Sequence, residues 1–204
     1  RLKKYSQVYI LAWTTTPWTL PSNTALTVGK KIKYVLIRTF NLYTHKSINV
    51  ILAKDLISKV FKGNFIEVEN ENDLHFDSIK NIPYLVCEDF TGDELVGINY
   101  YQLWENAPKP AINPENAFRV ISGDFVTTED GTGVVHTAPT FGADDAIAAK
   151  NAVPEVPPML IYNENKELVP LVDFQGKFID SLDEIGGKYV KNEYYSNEDV
   201  PEKS

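Results

Sequence analysis

The sequence predicts a β-rich α+β fold, a curled sheet or closed β-barrel core with a few short helices. Most of its apolar residues fall in short runs rich in β-branched and aromatic side chains, bordered by Gly, Asn or Pro, which is the pattern of strands. Only two stretches place apolar or helix-favouring residues at helical spacing. The length of 204 residues suits one domain with a real core, taken as 1–204 with linker ends at about 1–7 and 195–204.

Residues 8–13 follow a basic stretch, but the apolar run is too short for a signal peptide and lacks a small-residue cleavage site, so it reads as a strand. Residues 33–40 and 48–52 are β-branched strands. Residues 53–61 space Leu56, Ile57, Val60 and Phe61 as a helix does. A strand at 64–68 leads into 67–77, whose alternating Asn, Glu and Asp mark a solvated loop. Further strands are predicted at 84–86, 118–121, 134–137, 159–162 and 168–172. Glu129-Asp130-Gly131 is read as one hairpin turn and Asn163-Glu164-Asn165-Lys166 as another. Residues 144–152, alanine-rich and opened by two acids, predict a helix.

Composition narrows the function classes. At 43% apolar and 12% aromatic residues the chain is no disordered polymer, and no stretch approaches the roughly 18 apolar residues of a membrane span. A net charge of −8 argues against broad, nonspecific nucleic-acid binding, although a few nucleotides held at one place remain compatible with it. The single cysteine, Cys87, excludes an internal disulfide and a cysteine-based zinc site and suits a reducing cytoplasm. The start at Arg1 and the polar tail read as cuts from a longer polypeptide.

Two segments carry candidate chemistry. In Trp13-Thr14-Thr15-Thr16-Pro17-Trp18-Thr19-Leu20-Pro21-Ser22-Asn23 the threonines suit a strand by propensity alone. Pro17 and Pro21, however, prevent that strand from continuing and leave the hydroxyls at its end, where they can face a pocket. In Gly131-Thr132-Gly133-Val134-Val135-His136-Thr137-Ala138-Pro139-Thr140-Phe141-Gly142-Ala143-Asp144-Asp145 the glycines fit a turn and do not make a dinucleotide fingerprint. His136 is either a satisfied core residue or a functional one. Asp144 and Asp145 complement the helix dipole, and a carboxylate held ionised by backbone N–H groups is suited to bind a substrate ammonium. Two acids and one histidine are a weak metal signature.

Together the two segments resemble the editing domain inserted into the catalytic domain of isoleucyl-tRNA synthetases. Gly92-Asp93-Glu94-Leu95-Val96-Gly97 adds a weaker match in the middle of the chain. Valyl and leucyl relatives carry Arg-Pro-Glu-Thr where this chain has Thr16-Pro17-Trp18-Thr19, which favours the isoleucyl type. The signatures of the synthetic site are absent.

The resemblance implies a post-transfer deacylase that hydrolyses the ester of valine misattached to the 3′ CCA end of tRNA(Ile), with the rest of the parent synthetase as partner. The implied catalytic set is Thr14, Thr15, Thr16 and Asp145, with Asp145 holding the α-ammonium and the threonines the ester and terminal adenosine. The implied substrate-binding set is Trp13, Asn23, His136, Ala138, Pro139 and Phe141. Neither metal nor cofactor is implied for editing; ATP and Mg belong to the parent's synthetic site. A cytoplasmic location, no membrane association and a monomeric isolated domain complete the expectation. Its rivals are a valyl- or leucyl-type editing domain, a noncatalytic module that binds the tRNA end, and an unrelated Ser/His/Asp or metal-dependent hydrolase.

Overall fold

A computed structural model describes residues 1–173, 175–182 and 185–191, so the linker expected at 195–204 lies outside the described residues. The chain divides into two compact units interleaved in sequence. Unit 1 comprises Arg1–Thr14, Leu26–Ile98 and Val120–His136; unit 2 comprises Thr15–Ala25, Asn99–Arg119 and the described residues from Thr137 onward.

Unit 1 is built on a five-stranded mixed sheet in the order β1 (Val8–Ile10), β4 (Ser47–Ala53), β3 (Lys33–Phe40), β6 (Ile82–Thr91) and β5 (Phe65–Glu67). Its centre is antiparallel and its two outer pairs are parallel. Consecutive residues of β3, Tyr34, Val35, Leu36 and Ile37, are all fully buried, so both faces of this strand are covered. Val35 and Ile37 pack with Val50, Leu52, Phe61 and Tyr84. A central strand of this kind selects β-branched and large apolar residues on both sides of the pleat. The expected strand 84–86 proves to be part of the longer β6, because its polar continuation pairs with β3 and Asp89 meets Lys54 at 2.7 Å. The expected helix 53–61 shortens to a 3-10 turn, Lys54–Leu56, followed by α1 (Ile57–Val60). A second short helix, α2 (Gly92–Leu95), was not anticipated and is closed by a reciprocal Thr91–Glu94 capping box. Residues 1–7 carry a 3-10 turn, Leu2–Lys4, with ion pairs from Arg1 to Glu94 and from Lys4 to Glu88.

A three-stranded sheet has the order β7 (Arg119–Ser122), β2 (Ala25–Val28), β8 (Val134–Thr137). Ala25, Arg119 and Thr137 are counted with unit 2 and the rest of these strands with unit 1. The hairpin expected around Glu129-Asp130-Gly131 is not formed, since residues 125–128 before the turn take no strand and β8 after it pairs with β2. All four residues of β2 are buried, and a strand in that state is stabilised by a partner on each edge. Its lack of polar alternation is also why the sequence did not betray it.

Unit 2 contains the antiparallel hairpin of β9 (Leu160–Tyr162) and β10 (Leu168–Pro170), formed around Asn163–Lys166 as the sequence indicated. The Asn163 side chain accepts from Glu167 N at 2.9 Å and fixes the turn. Helix α3 (Ala143–Asn151) follows the predicted 144–152 closely. Ala117, Phe118, Met159, Leu171 and Leu182 form this unit's core. Buried Arg119 donates to the carbonyls of Asn116, Val153 and Pro154. The β-rich expectation with few helices holds, but the strands lie in three open sheets and no closed barrel is found among the described residues.

Candidate functional site

The threonine segment changes conformation where its prolines require it. Regular pairing of β1 ends at Ile10, short of the expected 13, yet Trp13 still bridges Val135 of β8 in parallel. Trp13 N donates to Val134 O at 2.9 Å and His136 N to Trp13 O at 3.3 Å. Gly131 allows this approach in two ways. Its φ of 72° is the left-handed region that glycine enters freely, and a Cβ there would lie 2.7 Å from the Trp13 ring. Pro17 then opens a 3-10 turn, Pro17–Ser22, at the position where its missing N–H and fixed φ suit a helical start. Thr14 is half-buried in unit 1, whereas Thr15 and Thr16 are exposed in unit 2. The Thr19 hydroxyl donates to Thr16 O at 2.8 Å and lies 3.3 Å from Thr16 Oγ1, so the turn is closed by side chains as well as by backbone.

Within unit 2 the end of this turn is joined to the second segment. Thr24 N donates to Thr137 O at 3.1 Å. Buried Asn23 donates through Nδ2 to Ala25 O at 2.8 Å and to Thr137 O at 3.4 Å. Its Oδ1 accepts from the Tyr100 hydroxyl at 2.5 Å. The two segments therefore meet twice, at Trp13 with Val134–His136 in unit 1 and at Asn23–Thr24 with Thr137 in unit 2.

His136 is buried, and burial pushes its imidazole down to about 4, so the ring is neutral near pH 7. Ala138, also buried, donates its N–H to Asp145 Oδ2 at 2.8 Å. Asp145 is half-buried at the third residue of α3, and Asp144 beside it is exposed. A Cβ on Gly142, the N-cap, would meet the Asp145 carboxylate at 2.9 Å, so only glycine leaves this carboxylate its place without displacement. A backbone N–H does reach Asp145 and favours its ionised form, but it is not the largest influence on the carboxyl. Burial raises its pKa, the Ala138 bond lowers it by less, and Asp144 adds to the rise, so the net direction is upward. Pro139 is half-buried in the turn after β8. Phe141 is 45% exposed and, with Trp18, lines a cleft of about 430 Å³ in unit 2 that also includes Val172, Asp173 and Val190. The Lys191 ammonium lies 3.6 Å from the centre of the Trp18 ring.

Sequence reasoning missed Tyr100 and Gly142. Tyr100 lies far along the chain from both segments, and nothing local marks it. Gly142 could have been suspected from its place just before two acids at a helix start. Among the described residues, no cluster of three or more His, Cys, Asp or Glu side chains is placed to hold a metal ion, and no helix is long and apolar enough to cross a membrane.

No family profile matches the chain. It is 49% identical over 192 residues to the isoleucine–tRNA ligase of Cytophaga hutchinsonii, covering 94% of this chain and 16% of that protein. It is 46% identical over 213 residues to the isoleucine–tRNA ligase of Bacteroides fragilis, covering 96% and 18%. With the isoleucine–tRNA ligase of Clostridium novyi the figures are 39% identity, 94% and 14%. The chain thus spans less than one fifth of the length of these relatives. Among solved structures, the crystal structure of GlLeuRS-CP1 matches with a TM-score of 0.44 and 17% identity, covering 71% of this chain and 44% of that one. The identity runs along nearly the whole chain, which is thus similar from end to end to one segment of these isoleucine–tRNA ligases.

Proposed function

We propose that this chain is the post-transfer editing module of an isoleucyl-tRNA synthetase and hydrolyses the ester of valine misattached to tRNA(Ile). The observation that carries the reading is the seating of the Asp145 carboxylate on Ala138 N, in the same unit where Asn23 and Thr24 tie the threonine turn to Thr137. A half-buried carboxylate in the unit that also holds a turn rich in hydroxyls suits an aminoacyl ester, which offers an ammonium, a carbonyl and ribose hydroxyls.

In this reading Asp145 pairs with the α-ammonium, and Thr14, Thr15 and Thr16 hold the ester and the terminal adenosine. Trp13, Ala138, Pro139 and Phe141 contribute to substrate binding, and Asn23 fixes the loop. The exposed ring of Phe141, in a cleft that Trp18 also lines, suits stacking of a nucleobase from the 3′ CCA end. Water is the nucleophile, positioned by hydroxyls and by the substrate's vicinal ribose hydroxyl, so orientation supplies much of the rate. No metal or cofactor is assigned to this step. The remainder of the parent synthetase holds the body of the tRNA, which accommodates the acidic charge of the chain. Free Cys87 fits a reducing cytoplasm.

Editing is needed because a single methylene gives a synthetic pocket only about 1–3 kcal/mol of discrimination, isoleucine against valine being the general example of that limit. His136 is assigned as the rigid stop against the larger side chain. Its burial and neutral ring suit a wall better than a base working near neutral pH. The test is deacylation of Val-tRNA(Ile) and Ile-tRNA(Ile) by the parent enzyme. Wild type cleaves the first and spares the second, and His136→Ala gains cleavage of Ile-tRNA(Ile) by about ten- to a hundredfold, the scale of relieving one overpacked methylene. A folded His136→Ala enzyme that still spares Ile-tRNA(Ile) removes the wall. A wild-type enzyme that binds the tRNA end but cleaves neither ester favours a noncatalytic module, and a preference for another amino acid on another tRNA favours a valyl or leucyl type.

A further inference from the structure

Tyr100 stands outside both motifs, on the segment Asn99–Arg119 of unit 2, 77 residues from Asn23, yet its hydroxyl ends on the Asn23 side chain. Four backbone segments of this unit run side by side here. Tyr100 N donates to Phe118 O at 2.8 Å, Phe118 N to Thr24 O at 2.7 Å, and Thr24 N to Thr137 O at 3.1 Å. The Tyr100 ring meets Phe118 edge to face with centroids 6.2 Å apart, so the phenol is held by packing independently of its hydroxyl.

The carbonyls of Ala25 and Thr137, which can only accept, decide which way the Asn23 amide faces, and the Tyr100 hydroxyl anchors its oxygen end. An amide presents an acceptor on one side and two donors on the other, and both ends are engaged. Oδ1 takes the Tyr100 proton at 2.5 Å, while Nδ2 donates to Ala25 O and Thr137 O. Rotating the amide by 180° would set its NH2 against the Tyr100 oxygen and its oxygen against two carbonyls. The two carbonyls make that rotation costly, and in the orientation they select the phenol proton holds Oδ1 in place. Burial also pushes the phenol's pKa upward, so it remains a donor across the working pH range.

Asn23 directly follows the turn Pro17–Ser22, and Thr137 directly precedes Ala138, whose N–H seats Asp145. The geometry points to Tyr100 as a positioning residue for ester hydrolysis: by anchoring the Asn23 oxygen it tightens, beside the Thr24–Thr137 backbone bond, the spacing between the threonine turn and the Ala138–Asp145 anchor. This inference rests on the editing reading. It is a statement about alignment of the reacting ester, so the loss is in turnover and not in affinity for charged tRNA.

The test uses the parent enzyme with Val-tRNA(Ile) and three variants, Tyr100→Phe, Asn23→Asp and the double variant. Phe keeps the ring and its packing and removes only the hydroxyl; Asp keeps acceptor oxygens for Tyr100 and removes both donors to the carbonyls. Tyr100→Phe is expected to lower kcat about tenfold, the scale of one lost hydrogen bond, with KM within about twofold and the melting temperature within a few degrees of wild type. Asn23→Asp is expected to do at least as much, and the double variant no more than Asn23→Asp alone, because both act through one amide. Wild-type kcat in a folded Tyr100→Phe enzyme, or fully additive losses in the double variant, overturns the positioning role while leaving the editing reading intact. So does a loss that disappears once rates are normalised to the folded fraction. A wild-type enzyme that does not cleave Val-tRNA(Ile) overturns both.

Discussion

The sheet of unit 1 and the four-segment ladder of unit 2 solve the same problem, satisfying backbone groups while covering apolar surface, by different means. In unit 1, β3 pairs in register with β4 from Tyr34 to Phe40, and Val35, Leu36 and Ile37 at the centre of that pairing are aliphatic and fully buried. In unit 2, the segments at Tyr100, Phe118, Thr24 and Thr137 are joined by backbone bonds where the strands β7, β2 and β8 begin or end, and one asparagine and one phenol add directional side-chain links among them. Apolar burial is tolerant of small movements and gives stability, whereas a directional polar link fixes positions to a fraction of an ångström and gives little net free energy. The first region is accordingly read as scaffold and the second as the part that aligns chemistry.

Substitutions separate the two. Leu52→Ala removes a fully buried side chain from the cluster of Val35, Ile37, Val50, Phe61 and Tyr84, and should lower unfolding free energy by about 2–5 kcal/mol in denaturant titration. Once corrected for folded fraction, its deacylation rate should match wild type. A deficit that survives the correction would mean that the sheet also tunes the site.

His136 gives an effect of intermediate size with a defined sign. An unfolded histidine titrates near 6.5, while the buried ring does so at about 4. Between these values the unfolded chain binds a proton that the folded chain excludes, so stability is fully present above about pH 6.5 and declines as pH falls towards about 4. Between about pH 7.5 and about pH 5 the loss should be about 2 kcal/mol in urea titrations, and it should be absent in His136→Gln. Equal pH slopes for the two proteins would show that His136 is not held neutral. Thr15→Val combined with Thr16→Val is the smallest perturbation of the fold. Both residues are exposed, so stability should move by less than about 0.5 kcal/mol, while deacylation falls about tenfold through loss of the hydroxyls. An unchanged rate returns these threonines to a purely conformational role.

What could be read from the sequence follows the same division. The strand at 33–40 was legible because Tyr34–Ile37 combine β-propensity with turn residues at both ends, and the hairpin at Asn163–Lys166 because an Asn-rich turn separates two β-prone runs. β2 was not legible, since Ala25-Leu26-Thr27-Val28 is buried on both faces and shows no period. The false hairpin at Glu129-Asp130-Gly131 came from reading residues 125–128 as β-prone by local propensity, whereas the partner of β8 is the distant β2. In the candidate site, Pro17 and Pro21 announced the turn, and the paired acids announced α3. Tyr100 and Gly142 were hidden because their roles depend on what reaches them in space, a distant amide for one and a carboxylate three residues on for the other. The upward shift of Asp145 was hidden for the same reason, since burial is not written in a local motif.

The central claim is that Asp145 recognises the free α-ammonium of a misattached amino acid. Its most direct test is single-turnover deacylation by the parent enzyme of Val-tRNA(Ile) against N-acetyl-Val-tRNA(Ile), with Asp145→Ala in parallel. Acetylation removes the charge and leaves a half-buried carboxylate without its partner, a cost of about 1–3 kcal/mol or more. Wild type should therefore cleave the free-amine substrate at least about tenfold faster than the acetylated one, and Asp145→Ala should lose most activity towards the former. Equal cleavage of both esters by wild type, or a full rate in Asp145→Ala, would contradict the account.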